Sequence, residues 1–132
     1  MKILIELPTW LGDTVMASPA IDNIVNQFNN VEITLLGSFV SIEALKNHPK
    51  VVETYVLDKK YSYIYKNLKK FDKFDIFFSF RGSIRSKLIK FFITSAKKYQ
   101  FNKNKYNGHQ VEKYNRFVNE SLEIETPAGK LI

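Results

Sequence analysis

Apolar positions along this chain switch between short solid runs and helical spacing, and the switches mark out the elements. Met1 to Leu7 (M-K-I-L-I-E-L) reads as an opening strand, after which Ala17, Ile21, Ile24, Val25 and Phe28 predict a helix ending near Asn29-Asn30. Val31 to Leu36 is a β-branched second strand closed by Gly37-Ser38, and a short helix over Ser41 to Asn47 stops before Pro49. Val51 to Leu57 predicts a third strand. Lys59 to Phe74 then places Tyr61, Ile64, Tyr65 and Leu68 at helical spacing within a basic stretch.

Asp75 to Phe80 (D-I-F-F-S-F) is too apolar to be half exposed, so it is expected as a central parallel strand covered on both faces. Arg81-Gly82-Ser83 turns into a helix expected to bury Ile84, Leu88, Ile89, Phe91, Phe92 and Ile93, with Ser83, Lys87, Lys90 and Thr94 outward. A short strand near Lys98 to Phe101, a loop, and a last helix over His109 to Leu122 complete the pattern. That helix should bury Val111, Tyr114, Val118 and Leu122 and expose Glu112, Lys113, Arg116 and Glu120.

Alternating strands and helices give an α/β fold: a Rossmann-like, doubly wound, mainly parallel sheet of about five or more strands. The first and fourth strands should flank the topological switch, which brings the loops at Asp13 and Arg81 together. Residues 1–122 form one expected domain, and 123–132 read as the start of a connection to another.

Asp13 follows the first strand directly, at the sheet edge where open α/β folds bind ligands. Gly12 is expected to allow a tight turn there. The first helix has two possible starts: Asp13 caps a turn from Thr14 and Pro19 kinks the helix, or Ser18 is the cap with Pro19 at the first helical position. A carboxylate in that place is by default a simple helix cap, and it is also placed to act as a chemical group.

Composition narrows the partners. The chain has 132 residues, 45% hydrophobic and 25% charged, which suits one globular domain without a membrane-spanning run. The opening segment carries Glu6 and lacks a cleavage site, so it reads as a buried strand and the protein is expected in the cytoplasm. There is no cysteine, and His48 and His109 are the only histidines, so neither a metal nor a resident cofactor is expected. His48, before Pro49, reads as a loop residue. A net charge of +7 favours an anionic partner. Among 20 bases, Arg81, Arg85 and Arg116 are the only arginines and the better candidates for bidentate recognition of carboxylate or phosphate.

A G-x-G-x-x-G fingerprint is absent after the first strand, as are a G-x-x-x-x-G-K-[ST] loop and a G-x-S-x-G elbow. These absences disfavour a stand-alone NAD enzyme and the common nucleotidase and hydrolase readings.

The stretch K-I-L-I-x-L-P-T-W-L-G-D-T-V-M-A-S-P-A resembles the amino-terminal signature of the bacterial ADP-heptose:lipopolysaccharide heptosyltransferases, glycosyltransferase family 9. The likeness continues through Val31 to Leu36, His48-Pro49-x-Val51-Val52, Ser79-Phe80-Arg81 with Arg85 to Leu88, and His109-x-Val111-Glu112-Lys113-Tyr114. It implies the amino-terminal, acceptor-binding half of a two-domain GT-B enzyme, with the ADP-heptose-binding domain absent and the chain alone inactive. It also implies that Asp13 is the general base of an inverting transfer. Kdo-lipid A or a heptosylated inner core would be the acceptor, met at the acidic surface of the inner membrane.

On that resemblance, Trp10 would stack on a sugar ring, and Arg81 and Arg85, with Ser83 near the same helix start, would bind an acidic group of the acceptor. Gly12 and His109 complete the expected acceptor-binding set. Two other readings stay open. One is a non-catalytic anion-binding module holding nucleic acid or acidic membrane through Lys59 to Lys73 and Lys97 to Lys105; on the heptosyltransferase reading no nucleic acid is expected. The other is a related glycosyltransferase with a different sugar donor.

Overall fold

The computed structural model describes residues 1–57 and 73–131. Strands β1 (Lys2–Glu6), β2 (Glu32–Gly37), β3 (Val51–Val56), β4 (Phe74–Ser79) and β5 (Ser95–Gln100) form one sheet in the order β3-β2-β1-β4-β5. Every pairing is parallel. Helices α1 (Leu11–Asn26), α2 (Phe39–Leu45), α3 (Ile84–Phe92) and α4 (Gln110–Leu122) connect or follow the strands, with a 3-10 turn at Lys103–Lys105. The expected helix over Lys59 to Phe74 lies outside the described residues apart from its end, where Phe74 already belongs to β4.

The strand order reverses between β1 and β4, which are neighbours as anticipated. Alternation along the strands separates two cores. Ile3, Ile5, Leu7, Ile33, Leu35, Ile76, Phe78 and Phe80 meet α1, α2 and α4 on one face. Leu4, Leu36 and Phe77 meet Ile89 and Ile93 on the other, joined by Phe74 at the very start of β4, so β4 is covered on both sides as its composition predicted. The same alternation turns Glu6 toward the second face, in register with Ser79 of β4.

Helix α1 begins at Leu11, earlier than either start expected from sequence. Trp10, in extended conformation, precedes it without a side-chain cap bond, so Asp13 is no cap and lies within the first turn. The entry is set instead by tertiary anchors: Ser41 Oγ donates to the Pro8 carbonyl, Ser38 Oγ donates to the Thr9 carbonyl at 2.7 Å, and Thr14 Oγ1 donates to Ser41 Oγ at 2.8 Å. Gly12 makes no tight turn either; it lies inside the helix, and of the glycines only Gly108 has positive φ. Pro19 sits mid-helix, where its missing N–H deprives the Val15 carbonyl of its helical donor. The Ser18 hydroxyl takes that carbonyl at 2.6 Å.

Helix α3 buries Ile89 and Ile93 as expected, but not the rest of the expected face. Ile84 and Phe91 are each 76% exposed, and Leu88 and Phe92 are also exposed, while Ser86, Ile89 and Ile93 are buried. At about 100° per residue, Ser86, Ile89 and Ile93 share one side and Ile84, Leu88 and Phe91 the opposite one. Two apolar stripes made the choice ambiguous, and the sheet took the stripe containing a serine. In α4, Tyr114, Asn115, Phe117 and Val118 are buried, whereas Val111 and Leu122 are only half-buried. Asn115 pairs with Asn23 of α1, whose Nδ2 donates to Asn115 Oδ1 at 2.6 Å. Asn115 and Asn119 then donate to the Thr126 carbonyl, holding the start of the tail against the helices.

Candidate functional site

The carboxyl ends of β1, β4 and β5 open into a cleft of about 840 Å³. Its floor is aromatic: Phe80 and Phe101 pack on Tyr114, with ring centroids 5.4 and 4.8 Å apart. On one side stand Pro8, Thr9, Trp10 and Asp13; on the other, Arg81, Gly82 and Ser83. Gln100, Asn102, Asn104 and Gln110 add neutral donors and acceptors, and Lys87, Lys90 and Lys103 add charge. One carboxylate therefore faces four cationic side chains across an open space.

Asp13 gains its place from the start of α1. In the first turn, free backbone N–H groups and the helix dipole favour a carboxylate. The buried Thr14 beside it is tied to Ser41, which fixes how the turn is rotated. Tyr114 is close enough to feel that charge. Burial pushes the Tyr114 phenol up to about 12, opposed by its bond with the Gln110 side chain and reinforced by the negative charge of Asp13. The phenol therefore stays protonated at neutral pH, as a hydrogen-bonding group beside the carboxylate.

Arg81 is held from both ends. Its carbonyl accepts from Gln100 Nε2 at 3.1 Å, and its Nη1 lies 3.8 Å from Glu6 Oε2. Glu6 is fully buried, and Ser79 Oγ donates to its Oε1 at 2.5 Å. Burial pushes the Glu6 carboxyl above its ordinary value, against the lowering effects of Ser79, Arg81, Ser86 and Arg85.

Of the residues expected from sequence, Trp10, Asp13, Arg81 and Ser83 line the cleft together. Trp10 is 71% exposed, open to a ligand. Ser83 also caps α3, accepting from Ser86 N. Gly12, Arg85 and His109 do not line the cleft. Arg85 turns toward the buried Glu6 side, and His109 caps α4 through Nδ1, which accepts from Val111 N at 3.3 Å. His48 is more than a loop residue: its Nε2 lies 3.0 Å from Asp22 Oδ1 while Nδ1 accepts from Lys50 N.

Sequence reasoning missed Glu6, Lys87, Lys90, Gln110 and Tyr114 as members of the site, and reached Lys103 only through the basic stretch Lys97 to Lys105 of the anion-binding reading. For Gln110 and Tyr114 a signal existed, since four-residue spacing puts them on one helix face. For Glu6 the signal was an acid at the end of an otherwise apolar strand. Among the described residues, no cluster of three His, Asp or Glu could hold a metal ion, and no helix is long and apolar enough to cross a membrane.

No protein-family model matches the chain. It is 43% identical over 129 residues to lipooligosaccharide heptosyltransferase 2 of Campylobacter jejuni serotype O:2 (strain ATCC 700819 / NCTC 11168), covering 95% of this chain and 40% of the relative. Over almost its whole length the chain is similar to part of a heptosyltransferase. A second relative of the same description, from serotype O:6 (strain 81116 / NCTC 11828), is 40% identical with the same coverage. The chain thus spans about two-fifths of the length of the curated relatives it matches.

Solved structures carry the same fold. E. coli heptosyltransferase WaaC with ADP superposes at a TM-score of 0.77 and 13% identity, over 99% of this chain and 50% of that one. The glycosyl transferase family 9 structure from Veillonella parvula DSM 2008 gives 0.79 at 16% identity, over 98% and 43%.

Proposed function

We propose that this chain forms the acceptor-binding wall of an inverting heptosyltransferase that adds heptose from ADP-heptose to the inner core of lipopolysaccharide or lipooligosaccharide. Residues 1–122 are the acceptor domain and 123–132 lead toward the donor-binding domain of a GT-B enzyme. Asp13 takes the proton from an acceptor hydroxyl as its oxygen forms a bond to the anomeric carbon of heptose. The anomeric C–O bond to ADP breaks on the opposite face, and ADP leaves with the electron pair. Arg81, Lys87, Lys90 and Lys103 attract the acidic acceptor, and Trp10 offers an aromatic face to a sugar ring.

The observation that carries this reading is one carboxylate, Asp13, facing a cationic wall across an open cleft, in a chain similar to heptosyltransferases. We assign the donor contacts to the part of the relatives beyond the two-fifths that this chain matches. Its surface lysines suit an acidic inner-membrane leaflet on the cytoplasmic side, where a lipid-linked acceptor is presented. The test is Asp13→Asn in the full-length protein with ADP-heptose and Kdo-lipid A. Transfer should fall by roughly 10²–10⁴ with folding unchanged. An undiminished rate would remove Asp13 from the chemistry.

A further inference from the structure

Glu6 is a fully buried carboxylate at the end of β1, and the acceptor reading gives it no role. Strand register places it opposite Ser79, and strand alternation turns both toward α3. Ser79 Oγ satisfies Oε1, while Oε2 is buried without a hydrogen bond and faces Arg81 Nη1 at 3.8 Å. Ser86 and Arg85 of α3 also interact with this carboxyl. Four side chains from β4, the β4–α3 turn and α3 thus converge on one acid from β1. A buried acid costs free energy, and apolar neighbours such as Leu4 and Phe77 would be met more cheaply by an apolar side chain.

We propose that Glu6 is a positioning residue for the cationic side of the cleft: it fixes the Arg81 guanidinium opposite Asp13, where it meets a carboxylate or phosphate oxygen of the ligand. The inference rests on the acceptor reading for the ligand, but the Glu6–Arg81 link stands on geometry alone. Gln100 and Ser79 hold only the backbone of Arg81. Its guanidinium is the part left to Glu6.

Charge and position predict opposite results, which makes the idea testable. Glu6→Gln keeps an acceptor for Ser79 and removes a negative charge, so a charge effect alone would strengthen anion binding. Loss of positioning would weaken it. Glu6→Asp keeps the charge and withdraws it by one methylene, and it carries the test if the Gln variant does not fold.

The 132-residue chain is examined by NMR through the Arg81 Nε–Hε signal, and titrated separately with inorganic phosphate and with Kdo. Both variants should broaden or shift the Arg81 signal in the free protein and weaken binding of both probes roughly tenfold, as for a charge-assisted hydrogen bond lost from good geometry. An Arg81 signal unchanged in both variants overturns the proposal, as does tighter binding by Glu6→Gln. A lowered melting temperature with Arg81 and affinity unchanged would make Glu6 merely structural and also overturns it. If the Arg81 signal responds but the wild-type chain binds neither probe, the positioning role stands and the acceptor reading of the cleft fails.

Discussion

Thr14 Oγ1 donates to Ser41 Oγ at 2.8 Å, joining the first turn of α1, next to Asp13, to the start of α2. Ser41 in turn donates to the Pro8 carbonyl, so a residue 28 positions beyond Asp13 sets the loop that delivers it. Ser41→Ala leaves the buried Thr14 hydroxyl and the Pro8 carbonyl only each other as partners, at 3.2 Å. It should lower stability by about 0.5–1.5 kcal/mol in urea unfolding. Amide shifts should change over residues 8–14, and changes confined to α2 would contradict this linkage.

Gly12 occupies a helical position where an added Cβ would meet nothing within 4 Å in this chain. Glycine is a poor helix former, so Gly12→Ala should raise stability by about 0.4–1 kcal/mol in the same assay. A loss of stability would mean that the first turn of α1 is not formed as described.

Glu6 gives a pH dependence with a definite sign. Its folded carboxyl is raised above 4.5, chiefly by burial, so between 4.5 and the folded value the native protein keeps a proton that the unfolded chain releases. Rising pH across that window favours unfolding. Measured by urea unfolding from pH 4 upward, stability of wild type relative to Glu6→Gln should fall as pH rises, then level off above the folded pKa. A relative stability that rises with pH would reverse the assignment.

The two apolar stripes of α3 should respond very differently. Ile89 is buried against the sheet, so Ile89→Ala should cost about 2–5 kcal/mol. Phe91 is exposed, and Phe91→Ser should stay within about 0.5 kcal/mol in this chain. Comparable costs at both positions would show that the helix is rotated from the face described.

Much of the fold was legible because local pattern carries it. The run D-I-F-F-S-F could be satisfied only between two covered faces, and β4 is buried on both. The β1–β4 neighbourhood followed from crossover geometry, and with it the meeting of the Asp13 and Arg81 loops. The helix start at Leu11 was not legible, because its anchors, Ser38 and Ser41, lie on another element. His109, placed in the acceptor site only by the family resemblance, caps α4, a local partner that sequence position alone does not reveal.

The sequence by itself determined the order of strands and helices, the parallel sheet and the carboxylate after β1, since hydrophobic periodicity and chain connectivity act over short distances. Tertiary structure decided which lysines face the cleft, which stripe of α3 is buried, and that Glu6 sits beneath Arg81. Those outcomes depend on strand register and helix rotation, which bring side chains such as Glu6 and Ser79, 73 residues apart, into contact. No local pattern encodes that pairing, because it exists only once the sheet has closed.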